Sequence, residues 1–216
     1  MNTSVSNLAN ILRKYPRTFH HPLSEGVSSD DKQLASDSHL LGKRVIVTEK
    51  MDGENTTLYH HYIHARSLDS THHPSRDWVK QFHASVKHNI PPSIRVCGEN
   101  LYAKHSIGYH SLDSFFLAFS VWDGDTCLSW DDTILYLGLL DIRSVPVLYD
   151  GVYTRVIFEK LVSELDTQKQ EGLVVRVADS FDMKDFKWNV CKWVRKGHVQ
   201  TDKHWTKQQM IMNGVR

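Results

Sequence analysis

Very little in this sequence is present in excess. Three cysteines in 216 residues, Cys97, Cys127 and Cys191, stand far apart with no C-x-x-C spacing. So sparse and odd a count excludes a disulfide framework and suits a reducing compartment, so the expected location is the cytoplasm. Charge of one sign is missing too. The 26 Lys+Arg face 25 Asp+Glu, which leaves a formal net charge of +1. No global basic field draws nucleic acid to this chain, and any such surface has to be local. No apolar run approaches the ~20 residues of a membrane-crossing helix. Met1-Asn2-Thr3-Ser4 opens neither a charged segment nor an apolar one, so no secretory leader is predicted. Internal repeats and low-complexity tracts are absent as well.

The one surplus is histidine, with 14 copies. They fall in His20-His21, His60-His61-x-x-His64, His72-His73 and His83-x-x-x-x-His88. No Cys pair accompanies them and no H-E-x-x-H spacing occurs, so a zinc site is not expected.

Apolar periodicity divides the rest. Val5, Leu8, Ile11 and Leu12 give a helical spacing over Val5–Lys14 that ends before Pro16. His20–Ser38, rich in Ser, Asp and Gly, reads as loop. Val45–Thr48 and Thr56–Ile63 read as paired strands flanking a turn, and Ile94–Cys97, Phe115–Trp122, Leu173–Val177 and Val190–Val194 as further strands. Helices are predicted over Asp77–His88, from Asp131-Asp132 through Ile134–Leu140, and over Tyr153–Leu165. The irregular alternation with local strand pairing favours an α+β fold with antiparallel sheets over a doubly wound parallel one. At 216 residues one domain spanning 1–216 is the default.

The most informative stretch is Glu49-Lys50-Met51-Asp52-Gly53-Glu54-Asn55, directly after Val45-Ile46-Val47. A strand fixes the lysine backbone, and the glycine allows a tight turn close to a nucleotide. A Lys-x-Asp-Gly tetrad alone occurs by chance in roughly one chain of this length in twenty. Its followers make it specific: Arg66 in Ala-Arg-Ser, Cys97-Gly98-Glu99-Asn100, Phe115-Phe116-Leu117-Ala118-Phe119, Glu171-Gly172-Leu173-Val174-Val175-Arg176 and Cys191-Lys192-Trp193-Val194-Arg195-Lys196. This succession, over positions 45 to 200, resembles the covalent nucleotidyltransferase superfamily of polynucleotide ligases and RNA capping enzymes, and within it the ATP-dependent RNA ligases.

The resemblance implies a ligase-type nucleotidyltransferase domain with antiparallel sheets flanking an ATP-binding groove. The chain ends about twenty residues after Lys196, and no C-terminal OB-fold domain is expected. Lys50 matches the covalent lysine that keeps AMP. Its amine reacts only when neutral, which costs about 4 kcal/mol at pH 7.5 from an ordinary pKa near 10.4. Lys192, Arg195 and Lys196, or a divalent ion bound with ATP, are expected to supply the positive charge that lowers that pKa. Asp52 supports the turn and the metal or phosphate, and Glu49 matches a residue against the adenine. Arg66 matches an arginine near the sugar and the end being joined, and a guanidinium fork suits phosphate. Glu99 matches the carboxylate on the ribose, Phe119 the aromatic stacked on the purine, and Glu171 the glutamate by metal and phosphates. Lys192 matches a lysine on the α-phosphate. The family usually has a second lysine two residues on, where this chain has Val194, and Arg195 or Lys196 is the expected replacement. Asn55 matches an asparagine serving the sealing steps in one RNA-joining branch. Implied with these are ATP, Mg2+ or Mn2+, and RNA ends carrying a 5′-phosphate and a 3′-hydroxyl. The alternatives are a DNA-joining or capping-type transferase, a non-catalytic RNA-end-binding module, and a histidine-rich metal binder.

Overall fold

The computed structural model describes residues 12–197 and 210–216. Most of the predicted Val5–Lys14 helix lies outside them, and Leu12 to Lys14 are not helical. The strands, in chain order, are β1 (Phe19–His20), β2 (Arg44–Lys50), β3 (Glu54–Tyr59), β4 (Ile63–Ala65), β5 (Ile94–Asn100), β6 (Phe116–Asp123), β7 (Thr126–Cys127), β8 (Val147–Val152), β9 (Gly172–Val177), β10 (Phe181–Asp182) and β11 (Val190–Val194). They form a five-stranded sheet in the order β1-β11-β9-β2-β8 and a six-stranded sheet in the order β10-β7-β6-β5-β3-β4. All neighbours run antiparallel except β1 and β11, which pair in parallel. Helices α1 (Asp77–Val86), α2 (Trp130–Leu139), α3 (Arg155–Ser163) and α4 (Phe186–Asn189) complete it.

Side-chain alternation explains the layering. In β2, Val45 and Val47 join Leu173, Val175, Trp193 and Phe158 of α3 in the outer core of the five-stranded sheet. Ile46 points the other way, to Met51, Leu101 and Leu117, between the two sheets. A strand apolar on both faces is what the unbroken run Val45-Ile46-Val47 specifies. The six-stranded sheet packs Leu58, Val96, Phe116 and Ala118 on Val79 and Val86 of α1 and Leu137 of α2. Ser129 caps α2 by accepting from the Asp132 N–H at 3.1 Å, and Thr154 caps α3 through Ile157 at 3.2 Å.

Two local expectations are corrected. The segments 45–48 and 56–63 do not pair with each other: β2 belongs to one sheet and β3 to the other. Strand β3 also ends at Tyr59, and a turn at 60–62 precedes β4. The physical reason lies in Asp52. Its Oδ2 accepts from the Ser106 N–H (2.7 Å), the Ser106 hydroxyl (2.6 Å) and the Ile107 N–H (2.7 Å), while its own N–H donates to the Tyr109 hydroxyl at 2.9 Å. These bonds hold the 50–54 turn open as a crossing between sheets. The 20–38 segment is irregular as expected, with β1 ending at His20 and a short 3-10 turn beginning at Ser38.

Candidate active site

The end of β2 and the adjoining turn set Lys50 between the sheets. In the five-stranded ladder Lys50 pairs with Gly172, so Glu171 stands beside it. A Cβ on Gly172 would lie 2.0 Å from the Trp193 carbonyl oxygen, so only glycine permits this approach of β9 to β11. In the second sheet β3 and β5 pair Asn55 with Glu99. The crossing at Asp52 thus brings a lysine from one sheet against carboxylates from both.

Lys50 Nζ donates to Glu171 Oε2. Burial lowers the Lys50 pKa, but the charges of Glu171, Glu99 and Asp52 together outweigh it and leave the amine above its ordinary value. The expectation that Lys192, Arg195 and Lys196 depress it is therefore overturned, because the nearest charges are negative. Glu99 accepts from the Gly53 N–H at 3.2 Å. Burial pushes its carboxyl up to about 8, against the opposing pull of Lys50 and with Glu171 and Asp52 adding to the rise.

A cavity of about 320 Å³ opens beside Lys50. Of the residues singled out in the sequence, Glu49, Asn55, Arg66, Glu99, Phe119 and Lys192 line it together with Lys50. Glu49 is bonded to Gln170 Nε2 at 2.9 Å, and burial raises its pKa. Arg66 follows β4 and donates its N–H to the Asn55 carbonyl at 2.9 Å. Asn55 Oδ1 is buried with no hydrogen-bond partner. Burial lowers the Lys192 pKa, and its Nζ lies 3.4 Å from Asp31 Oδ1. Asp52 and Glu171 stand behind the wall rather than in it; Asp52 is spent on the 106–107 backbone.

Arg195 and Lys196 are not among the residues that line the cavity. Beyond β11 the chain turns, and the Arg195 N–H donates to the Glu171 carbonyl at 3.1 Å. Val194 is covered by the loop after β1: its N–H donates to Ser24 Oγ at 2.9 Å and its carbonyl accepts from the Gly26 N–H at 2.8 Å.

Sequence reasoning missed the segment before β2. Tyr15, Pro16, Arg17, Thr18, Asp30 and Asp31 all line the cavity. Tyr15 meets Phe119 edge-on, with centroids 5.2 Å apart. No local pattern signals this, because the contact depends on β1 joining β11, which lies far along the chain. Arg176, quoted in its motif without a role, also reaches the wall, where its Nη2 donates to the Leu128 carbonyl at 2.7 Å.

Among the described residues no group of three or more His, Cys, Asp or Glu is placed to hold a metal. The histidines are partly core: burial lowers His21 to about 4, and its Nε2 lies 2.9 Å from the Tyr153 hydroxyl. No described helix is long and apolar enough to cross a membrane.

Comparison with known proteins gives one family. The family described as RNA ligase matches residues 43–194. No curated protein matches the sequence. Among solved structures, an archaeal ATP-dependent RNA ligase superposes with a TM-score of 0.57 at 17% identity, over 85% of this chain and 48% of its own. A Naegleria gruberi RNA ligase with PPi gives 0.55 at 19%, over 88% of this chain and 60% of its own. A mutant of that ligase with ATP and Mn gives 0.52 at 18%, over 85% and 60%. These likenesses show the fold, and the chain spans between 48% and 60% of the length of those structures.

Proposed function

The chain belongs to the RNA ligase family, and from that premise we propose that it is an ATP-dependent RNA ligase acting through Lys50. The observation that carries this is the convergence of Lys50, Glu99, Phe119, Arg66 and Lys192 on one cavity, from strands of two different sheets. Phe119 offers a ring for the purine, Glu99 an acceptor for ribose hydroxyls, and Lys192 a charge for the α-phosphate. A structure of a relative described with ATP and Mn supports ATP and a divalent ion as the co-reactants.

The donor set fits Mg2+ or Mn2+ brought by the triphosphate. Such an ion keeps several waters and takes one or two carboxylates, and Glu99 in the wall and Glu171 beside Lys50 would supply them. When bound it offsets triphosphate charge. The protein's own part is proton management. Glu171 already holds the Lys50 ammonium and is placed to receive its proton. The freed Nζ then forms a bond to the α-phosphorus as pyrophosphate departs with the bonding pair. A 5′-phosphate oxygen of RNA takes the AMP from nitrogen, and a 3′-hydroxyl attacks that 5′-phosphorus and releases AMP. RNA ends are thus the proposed partners. The three cysteines, all buried and free, support a reducing cytoplasm as the setting.

Incubation with labelled ATP and Mg2+ or Mn2+ followed by a denaturing gel tests the reading. Label at the α position should stay on the protein and label at the γ position should not. GTP should label poorly. Absence of α-label under all these conditions overturns the proposal.

Asn55 separates the steps. It lines the cavity, its Oδ1 is buried without a hydrogen-bond partner, and its carbonyl accepts from the Arg66 N–H. Asn55→Ala should still form lysyl-AMP while slowing end joining by an order of magnitude or more, with adenylylated RNA accumulating. A mutant that fails at lysine labelling instead assigns Asn55 to the turn.

A further inference from the structure

Arg17 is an exposed arginine, but it is tethered on both sides. Two residues before it, the Tyr15 ring packs edge-on against Phe119 and, at 5.3 Å, against Phe186. Pro16 fixes the intervening backbone. Two residues after it, Phe19 begins the parallel pairing of β1 with Cys191 and Lys192 of β11. The guanidinium itself donates from Nη1 to the Asp30 carbonyl at 2.7 Å. Backbone and head group are both held, and Arg17 stands in the wall of the Lys50 cavity with Arg66.

The carboxylates of that wall are committed elsewhere. Asp31 pairs with Lys192 at 3.4 Å and His20 at 3.3 Å, Asp30 accepts from Ser28 Oγ at 2.8 Å, Glu49 is bonded to Gln170, and Glu99 lies on the Lys50 turn. Among the described residues neither Arg17 nor Arg66 has an ion-pair partner. The two charges also feel each other: after burial, Arg17 is the largest influence lowering the Arg66 pKa. Two guanidinium groups in one wall repel, and a phosphate dianion relieves that repulsion while accepting from both forks.

We propose that Arg17 and Arg66 together form a binding site for a phosphate dianion in the groove wall, with Arg17 a phosphate-binding residue outside the motif series. The proposal rests on the ligase reading. Its phosphate comes either from the outer phosphates of ATP or from the 5′ end of RNA.

The experiment uses the full chain as wild type, Arg17→Ala, Arg17→Lys and, as a remote exposed control, Lys160→Ala. One arm measures lysine labelling against ATP concentration. The other isolates the labelled protein and follows AMP transfer to 5′-phosphorylated RNA in a single turnover. If ATP supplies the phosphate, Arg17→Ala raises the ATP concentration for half-maximal labelling by about tenfold or more. If RNA supplies it, labelling is unchanged and the RNA concentration for half-maximal transfer rises by that factor. Arg17→Lys restores only part, because a point charge replaces a fork, and Lys160→Ala matches wild type. Arg17→Ala equal to wild type in both arms overturns the site. So does a loss in both arms that follows a fall in melting temperature and is as large in Arg17→Lys. Should the wild type take no label, the ligase reading fails separately. Binding of inorganic tripolyphosphate and of a 5′-phosphorylated oligoribonucleotide then decides the site: it stands if Arg17→Ala weakens either by about tenfold, and falls if neither changes.

Discussion

Lys50→Ala is expected to reduce α-label on the protein to background, a loss of several orders of magnitude, because the other described amine lining the cavity, Lys192, is paired with Asp31. The wild-type rate should also carry a pH signature. Lys50 reacts as the neutral amine, yet the carboxylates around it hold its pKa above the ordinary value despite burial. It is therefore charged throughout the neutral range, and its neutral fraction grows about tenfold per pH unit. Labelling at saturating ATP should follow that slope from pH 6 to 8. Glu99, raised to about 8, then ionises and adds negative charge beside the amine. Above pH 8 the slope should fall below tenfold per unit. A rate flat between pH 6 and 8, or a Lys50→Ala protein labelled like wild type, would remove Lys50 from the chemistry.

Gly172→Ala should be strongly damaging. The new Cβ would meet the Trp193 carbonyl oxygen at 2.0 Å and the Val194 Cα at 3.1 Å, both on the backbone of β11. A strand backbone cannot swing aside as a side chain can, so β9 and β11 must part. Overpacking of this kind costs about 1–3 kcal/mol, or more where nothing can yield. In a chain of this size that lowers the melting temperature by about 2–4 °C per kcal/mol. Activity should fall further than stability, since Gly172 faces Lys50 on one side and Val194 on the other. Gly138→Ala in α2 is the control: its Cβ would meet nothing within 4 Å, and the helix gains about 0.5–1 kcal/mol. Equal melting temperatures for Gly172→Ala and wild type would show that the ladder is looser than this spacing requires.

Where burial is continuous, the sequence was easy to read. Strands β2, β5, β6, β9 and β11 announce themselves as apolar runs, and α1 as a stripe of Trp78, Val79, Phe82 and Val86. Strand β8 escaped because it is an edge strand with exposed Val147, Leu148 and Val152, interrupted by Asp150 and Gly151. The false pairing of 45–48 with 56–63 has a different origin. Two strands joined by a short turn normally form a hairpin, and only the bonds from Asp52 to Ser106 and Ile107 show that these two diverge. In the site, motif order singled out residues on β2, β3, β5, β6 and β11 that line one cavity. It could not reveal Tyr15, Arg17 or Asp31, whose place depends on a strand pairing across nearly the whole chain. Nor could it tell that Arg195 and Lys196, just beyond β11, are not among the residues lining the cavity.

The parallel pairing of β1 with β11 also sets an order of events during synthesis. His20 faces Lys192, so 172 residues (192 − 20) separate partners in one ladder. At ribosomal speeds of about 5–20 residues per second, His20 waits roughly 9–34 s for its partner to be made. Over that interval Arg17, Thr18 and Asp31 have no sheet edge to dock on, and the groove lacks one wall. Long-range closures of this kind come late and slow the overall rate. A nascent chain therefore carries Lys50 well before it carries a nucleotide site, and the amine remains idle until nearly the last strand has emerged.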